Sequence, residues 1–217
     1  MRRYRALVPD PTACTPEQVA RDLFTWAIRH LEADERNRRE LYRIFFYDCP
    51  PLEKKAHNPI TGRAVDFAKT PEAQFRRQLH AELKKTRKLA LRLGRLAEHS
   101  AWVVRPEVVK RLLAREIAVE ALSEGDVVYD IRQKGVDMRI GLDIASLAFK
   151  RQVDQIVLFA GDADFVPAAK LARREGIDFV LDPMWQSIPP DLHEHIDGLR
   201  STCPRPRPRA QTTRPEQ

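Results

Sequence analysis

The spacing of apolar positions changes several times along the chain, and each change predicts an element. Val19, Leu23, Trp26, Ala27 and Leu31 recur at helical intervals behind Thr15-Pro16-Glu17-Gln18. That opening reads as a helix start, with Thr15 as cap, Pro16 at the first helical position and Gln18 completing a capping box. Tyr42 to Tyr47 is a short apolar run, predicted as a strand that stops at Asp48-Cys49-Pro50-Pro51. A polar loop with Asn58-Pro59 and Thr61-Gly62 follows, and Thr70-Pro71-Glu72 opens a long helix. Trp102 to Val104 predicts a short strand, Pro106 to Ala121 a largely helical stretch, and Val127 to Ile131 another strand. Lys134-Gly135-Val136-Asp137 then turns into a helix. Its Met138, Ile140, Leu142, Ile144, Leu147, Ala148 and Phe149 lie on nearly every side, which predicts burial. Asp191 to Leu199 predicts a last short helix. No internal repeat is present.

The sharpest pattern begins at Val157. Val157-Leu158-Phe159-Ala160 ends at Gly161-Asp162-Ala163-Asp164-Phe165, a helical pattern runs to Glu175, and Gly176 leads into the apolar run Ile177 to Leu181. This is a strand–helix–strand unit with two carboxylates at the carboxyl end of its first strand. In open α/β sheets that edge is where ligands bind. Asp164 sits where a helix N-cap belongs, and a capping role would account for it without a ligand. Asp162, between the strand and the cap, has no such explanation.

At 217 residues and 43% hydrophobic content the chain suits one α/β domain, with or without a helical elaboration. Its apolar runs fall short of membrane-spanning length, and the N-terminus lacks a signal pattern. Cys14, Cys49 and Cys203 are odd in number and far apart, without ligand spacing. That argues against a disulfide framework or structural zinc and for a cytoplasmic protein.

The net charge of +7 is concentrated. Between positions 76 and 95 stand Arg76, Arg77, Lys84, Lys85, Arg87, Lys88, Arg92 and Arg95, against the single acid Glu82. At ~100° per residue the eight cations fall within half of a helical wheel. Leu79, Leu83, Ala90, Leu93 and Ala97 fill much of the other half, and Leu91 lands among the cations. The segment therefore predicts one amphipathic helix with an uncompensated basic face, suited to a nucleic-acid backbone. An ordinary solvated face is the plainer alternative. Beyond Cys203 the Pro-Arg-Pro-Arg-Pro-Arg run cannot build a core and predicts a disordered or extended tail over 204–217.

Three predicted strands end in carboxylates or lead into them: at Asp48, at Asp137, and at Asp162 with Asp164. If those strands are parallel neighbours, the acids meet at one sheet edge. Clustered carboxylates resist joint ionisation unless a cation neutralises them. Mg²⁺ or Mn²⁺ would do so with oxygen ligands, keeping waters for a substrate phosphate, and the chemistry it serves there is phosphodiester hydrolysis. Lys134 would help hold a phosphate, and a lysine that simply faces solvent ahead of the helix is an equal alternative. The late histidines His193 and His195 point to different faces and read as surface or packing residues. A doubly wound phosphatase is disfavoured, because no Asp-x-Asp nucleophile motif stands at an early strand end.

Lys134-Gly135-Val136-Asp137 with Asp143 beyond it, then Gly161-Asp162-Ala163-Asp164-Phe165, together resemble the NYN domain family and its LabA-like branch. Tyr47-Asp48-Cys49-Pro50-Pro51 fits the same pattern, so the likeness runs from about Tyr42 to Asp182. The resemblance implies a PIN-like three-layer α/β/α sandwich around a mostly parallel sheet, spanning 1–203, with the basic helix as an elaboration. It implies an acidic site for Mg²⁺ or Mn²⁺ held by Asp137, Asp162 and Asp164. Asp48, Asp143 and Lys134 would stand behind those ligands.

Family members typically open on a hydrophobic strand ending in an aspartate. Met1-Arg2-Arg3-Tyr4-Arg5 resembles the segment after it, and Asp10 and Asp22 sit in the wrong context to replace that acid. The first strand is expected to be missing, through a start placed downstream or a true loss. Two functions follow from the resemblance. One is a metal-dependent endoribonuclease guided onto RNA by the basic segment. The other is a catalytically weak PIN-like module that binds RNA or a protein partner in regulation.

Overall fold

The computed structural model describes Leu7 and residues 14–32, 39–97 and 101–206. Asp10 and residues 207–217, most of the expected Pro/Arg tail, lie outside them. In chain order the elements are α1 (Pro16–Ile28), β1 (Ile44–Asp48), β2 (Lys55–His57), β3 (Ala64–Asp66), α2 (Pro71–Lys85), β4 (Leu89–Leu93), β5 (Arg95–Leu96), β6 (Ala101–Val104) and α3 (Pro106–Leu113). Then come β7 (Val127–Asp130), β8 (Gln133–Lys134), α4 (Val136–Phe149), β9 (Gln155–Leu158), α5 (Val166–Arg174), β10 (Asp178–Leu181), α6 (Pro190–His193) and β11 (Gly198–Leu199). The fold is mixed α/β. The chain divides into two compact units, one drawn from Arg43–Ile140 and the other from Met1–Tyr42 with Gly141–Gln217. Among the described residues no helix is long and apolar enough to cross a membrane.

In the second of these units the strand–helix–strand pattern is realised as expected. β9 and β10 pair in parallel, from Gln155↔Asp178 to Leu158↔Leu181, with α5 as the crossover. β11 adds a third parallel strand beside β10. The core of this sheet is made by Leu158, Phe179 and Leu181, with Ala169 and Ala172 of α5 packed flat against it. Gly176, at φ +84°, ends the helix in the left-handed conformation that glycine adopts without a side-chain penalty. α1 starts as expected at Thr15, whose hydroxyl accepts from the Gln18 amide at 3.2 Å. The capping box is incomplete, because the Gln18 side chain donates instead to Asp22 at 2.6 Å.

In the Arg43–Ile140 unit, β1 pairs in parallel with β4 (Ile44↔Leu89 to Asp48↔Leu93). β2–β3, β5–β8 and β6–β7 are antiparallel. β7 thus has β6 as its neighbour and β1 has β4, so the ends at Asp48 and Asp130 are not those of parallel neighbours. The loop around Asn58 is a built turn. The buried Asn58 side chain accepts from the amides of Ile60 (2.9 Å) and Thr61 (3.2 Å). Phe67, Trp102 and Tyr129 form an aromatic cluster, with centroids 4.8 Å apart for Phe67–Tyr129 and 5.4 Å for Trp102–Tyr129.

The long basic helix is corrected. α2 ends at Lys85, Lys88 takes φ +59°, and Leu89–Leu93 is strand, not helix. Leu89, Leu91 and Leu93 have the period of a strand, and hydrogen bonding along the whole length of β1 outweighs a helical preference that is weak by comparison. Two further expectations shift. Met138, Leu142 and Phe149 of α4 are exposed, leaving Ile144 and Ala148 as its buried residues. Asp191–Leu199 yields only the short α6, and its last two residues form β11.

Candidate active site

The chain after β9 leaves the sheet through Gly161 and makes a single tight turn, Ala163–Phe165, before α5 begins at Val166. Phe165 is buried and anchors this turn, while Asp162 and Asp164 are both exposed. The alternative in which Asp164 caps α5 is not realised. The residue at the cap position is Phe165, and Asp162 precedes the tight turn without a side-chain cap bond. Pro167 in the first turn of α5 lacks an amide proton, so the helix start has one fewer donor for a carboxylate to satisfy. Two negative charges two residues apart are thus presented to solvent at the carboxyl end of a parallel strand. A side chain at Gly161 would meet Gln186 and the Ser187 carbonyl at 4.0 Å, so the loop after β10 lies directly beside this turn.

The end of the neighbouring strand carries a third carboxylate that sequence reasoning passed over. Asp182 follows β10, its amide bonded to the Leu158 carbonyl at 2.8 Å. It is fully buried. One carboxylate oxygen lies 3.0 Å from His30 Nε2 and accepts from both the amide and the hydroxyl of Thr202 at 3.1 Å. The other accepts from the Met184 amide at 2.8 Å. Burial alone would raise its pKa, but the bonds from His30, Met184 and Thr202 together hold it below the ordinary carboxylate value. The single proton of the Thr202 hydroxyl is shared between Asp182 and the Trp26 carbonyl, which lies 2.8 Å away and ties α1 into the same network. Asp182 is committed to structure on every side. Its signal in the sequence was an acid directly after an apolar strand, the same signal as Asp162.

Asp48 belongs to the other unit and is likewise engaged. His80 Nε2 stands 2.8 Å from one of its oxygens and Arg76 Nε 3.6 Å from the same atom. Arg76 and His80 are one turn apart on α2, a spacing that places both over the end of β1. Burial pushes the Asp48 pKa up, and the His80 hydrogen bond and the Arg76 charge bring it below the ordinary value. Beside it, burial raises the Cys49 thiol, so this cysteine is not a poised nucleophile.

Asp137 is exposed in the first turn of α4. Its approach is set by Gly94. A Cβ there would fall 2.8 Å from the Lys134 carbonyl, 2.9 Å from Val136 and 3.1 Å from Cys49 Sγ. The missing side chain lets the Lys134–Val136 turn close over the ends of β1 and β4. Gly135, at φ +76°, makes that turn. Lys134 is exposed on β8, and Asp143 is half-buried on α4. Among the described residues no three His, Cys, Asp or Glu side chains form a metal-holding group.

The eight cations do not share one face. Arg76 is drawn to Asp48, Arg77 to Glu53 at 3.3 Å and the Ala68 carbonyl at 2.6 Å, and Lys85 to Glu82 at 2.6 Å. Arg92, on β4, lies over the Phe45 ring at 5.4 Å. Arg95 is on β5, and Lys84, Arg87 and Lys88 are exposed at the end of α2 and in the turn beyond it. Arg76 and Arg77 thus meet acids supplied from elsewhere in the chain, while Lys85 meets the segment's own Glu82.

Comparison with curated proteins and with solved structures yields no match. The family model of the NYN domain matches residues 63–197, more than half of the chain and inclusive of Asp137, Asp162 and Asp164. The chain belongs to the NYN domain family.

Proposed function

We propose that this protein is a divalent-metal-dependent endoribonuclease, with Asp162, Asp164 and Asp137 as its acidic site. The observation that carries the reading is the turn after β9, in a chain of a nuclease family. Its two exposed carboxylates stand at the carboxyl end of a parallel strand and have no capping work.

The donor set suits Mg²⁺ or Mn²⁺. Every proposed ligand is a carboxylate oxygen, and these ions are commonly held by one or two carboxylates with water and substrate phosphate completing the shell. Bound there, the ion supplies a more acidic water and a counter-charge for the phosphate. The protein's own residues do the rest. The buried Phe165 anchors the turn that carries Asp162 and Asp164, so both carboxylates are presented together at the end of β9. Asp137 adds a carboxylate from α4. Asp48, already held by His80 and Arg76, serves as a support for the end of β1 and not as a ligand. Lys134 and the exposed Lys84, Arg87 and Lys88 would meet RNA phosphates.

The test is cleavage of a labelled single-stranded RNA with Mn²⁺ or Mg²⁺, with EDTA as control. Metal-dependent cutting supports the nuclease. RNA binding without cutting would replace it with the binding-module reading, and neither binding nor cutting would remove both.

A further inference from the structure

The loop after β10 is built in a way its sequence does not favour. Gln186 donates its amide to the Pro183 carbonyl at 3.0 Å, which closes a four-residue turn with Met184 and Trp185 at its centre. Both central residues have positive φ, +51° and +63°. A turn with left-handed residues at both centres is ordinarily made by Asn and Gly, because a side chain there is crowded by the backbone. A methionine and a tryptophan persist in it only because the surroundings hold them. Asp182 accepts from the Met184 amide at 2.8 Å, Ser201 Oγ from the Trp185 amide at 3.0 Å, and the Cys203 carbonyl from Trp185 Nε1 at 2.9 Å.

The result is a turn held by two backbone amides, with an indole that is tied through its own N–H to the Cys203 carbonyl yet is 44% exposed. Strain of this kind gathers at functional sites. The next residue, Gln186, lies against Gly161, one position before Asp162. Arg205 places its guanidinium 5.3 Å from the centre of the same ring. A rigid aromatic face, an adjacent cation and a pair of carboxylates therefore share one end of one sheet.

We infer that Trp185 is a stacking platform for an unpaired base of single-stranded RNA, with Arg205 taking the phosphate beside that base. Stacking on an aromatic ring tolerates any base but requires one that is not paired, so the site selects single strands by shape and not by sequence. The inference deepens the nuclease reading and rests on it for the direction of the strand past Asp162. The base-stacking step itself needs no metal.

The experiment is RNA binding in EDTA, followed by tryptophan fluorescence and by anisotropy of an end-labelled single-stranded oligoribonucleotide. Trp26 is buried and Trp102 half-buried, so Trp185 is the most exposed of the three tryptophans, and the difference between the parent and Trp185→Phe gives its share of the quench. The single strand is expected to quench the emission, and the same sequence as a duplex to leave it largely unchanged. Trp185→Ala is expected to bind about ten-fold more weakly, the change carried by one base–aromatic stack. Trp185→Phe keeps a ring and is expected to retain most of the affinity while losing the quench, which separates stacking from a folding defect. Equal affinity for Trp185→Ala and the parent, or an equal quench by the duplex, would overturn the inference. Metal-dependent cleavage by the parent would leave the nuclease reading standing in that event.

Discussion

Asp182 and His30 meet at 3.0 Å with both side chains buried, and this contact joins the end of β10 to the residue just beyond α1. Removing the carboxylate would leave the His30 ring and the backbone amides of Met184 and Thr202 facing an empty position. Loss of one partner of a buried, hydrogen-bonded pair costs ~3–5 kcal/mol. Asp182→Ala is expected to lower the unfolding free energy by about that amount in urea titrations. A loss below about 1 kcal/mol would show that Thr202 and water satisfy the site without the acid.

The same carboxylates set a pH dependence. Asp182 and Asp48 are both held below the ordinary value of 3.8 in the folded protein. A group with a depressed folded pKa stabilises the fold above its unfolded pKa, and that stabilisation is lost as pH falls through the folded one. Stability should therefore drop as the solution is acidified past the ordinary carboxylate value, with little change attributable to these two groups at neutral pH. Denaturant titrations on Asp182→Asn should show a shallower acid limb than the parent. An identical limb would assign the acid sensitivity to other groups.

Gly94 makes a geometric prediction. A methyl group there would sit 2.8 Å from a backbone carbonyl, which cannot swing away as a side chain can. Gly94→Ala is expected to destabilise by ~1–3 kcal/mol, the usual range for overpacking. Because the clash is with the Lys134–Val136 turn, it should also weaken metal-dependent cleavage through displacement of Asp137. Thermal melts and cleavage rates on the same variant check both halves.

RNA affinity should depend on a subset of the basic residues. Each phosphate contact made by an exposed cation adds ~0.7 to the slope of log affinity against log salt for a single strand. Substituting Lys84 and Arg87 together by alanine is expected to flatten that slope by more than one unit. Arg76→Ala is expected to leave the slope nearly unchanged and to reduce stability instead, since its guanidinium faces Asp48. The reverse ranking would restore the view of the whole segment as one RNA-binding face.

Much of the strand–helix–strand unit was legible because its signals agree. Apolar runs of strand length, Gly176 as a helix stop and an amphipathic crossover helix all describe the same structure. The segment from Arg76 to Arg95 misled because Leu79 and Leu83 keep a helical period while Leu89, Leu91 and Leu93 alternate. The break at Lys88 depends on pairing with β1, a partner far away in sequence. The sequence left a cap role open for Asp164 beside the ligand role, because one tight turn intervenes before α5, a difference of a single residue that no propensity resolves. Trp185 and Asp182 were passed over for another reason. Their roles come from Thr202, Ser201 and Cys203, which join them only through the fold.

The measurement that bears most directly on the nuclease is cleavage of labelled single-stranded RNA by the parent chain and by Asp162→Asn, with Mn²⁺ or Mg²⁺ and with EDTA. Asp162 is exposed and makes no cap bond, so the variant should fold as the parent does. Cleavage that requires metal and falls on the order of 100-fold in the variant is the predicted result. Equal cleavage by the two proteins would contradict the assignment of the acidic turn as the site.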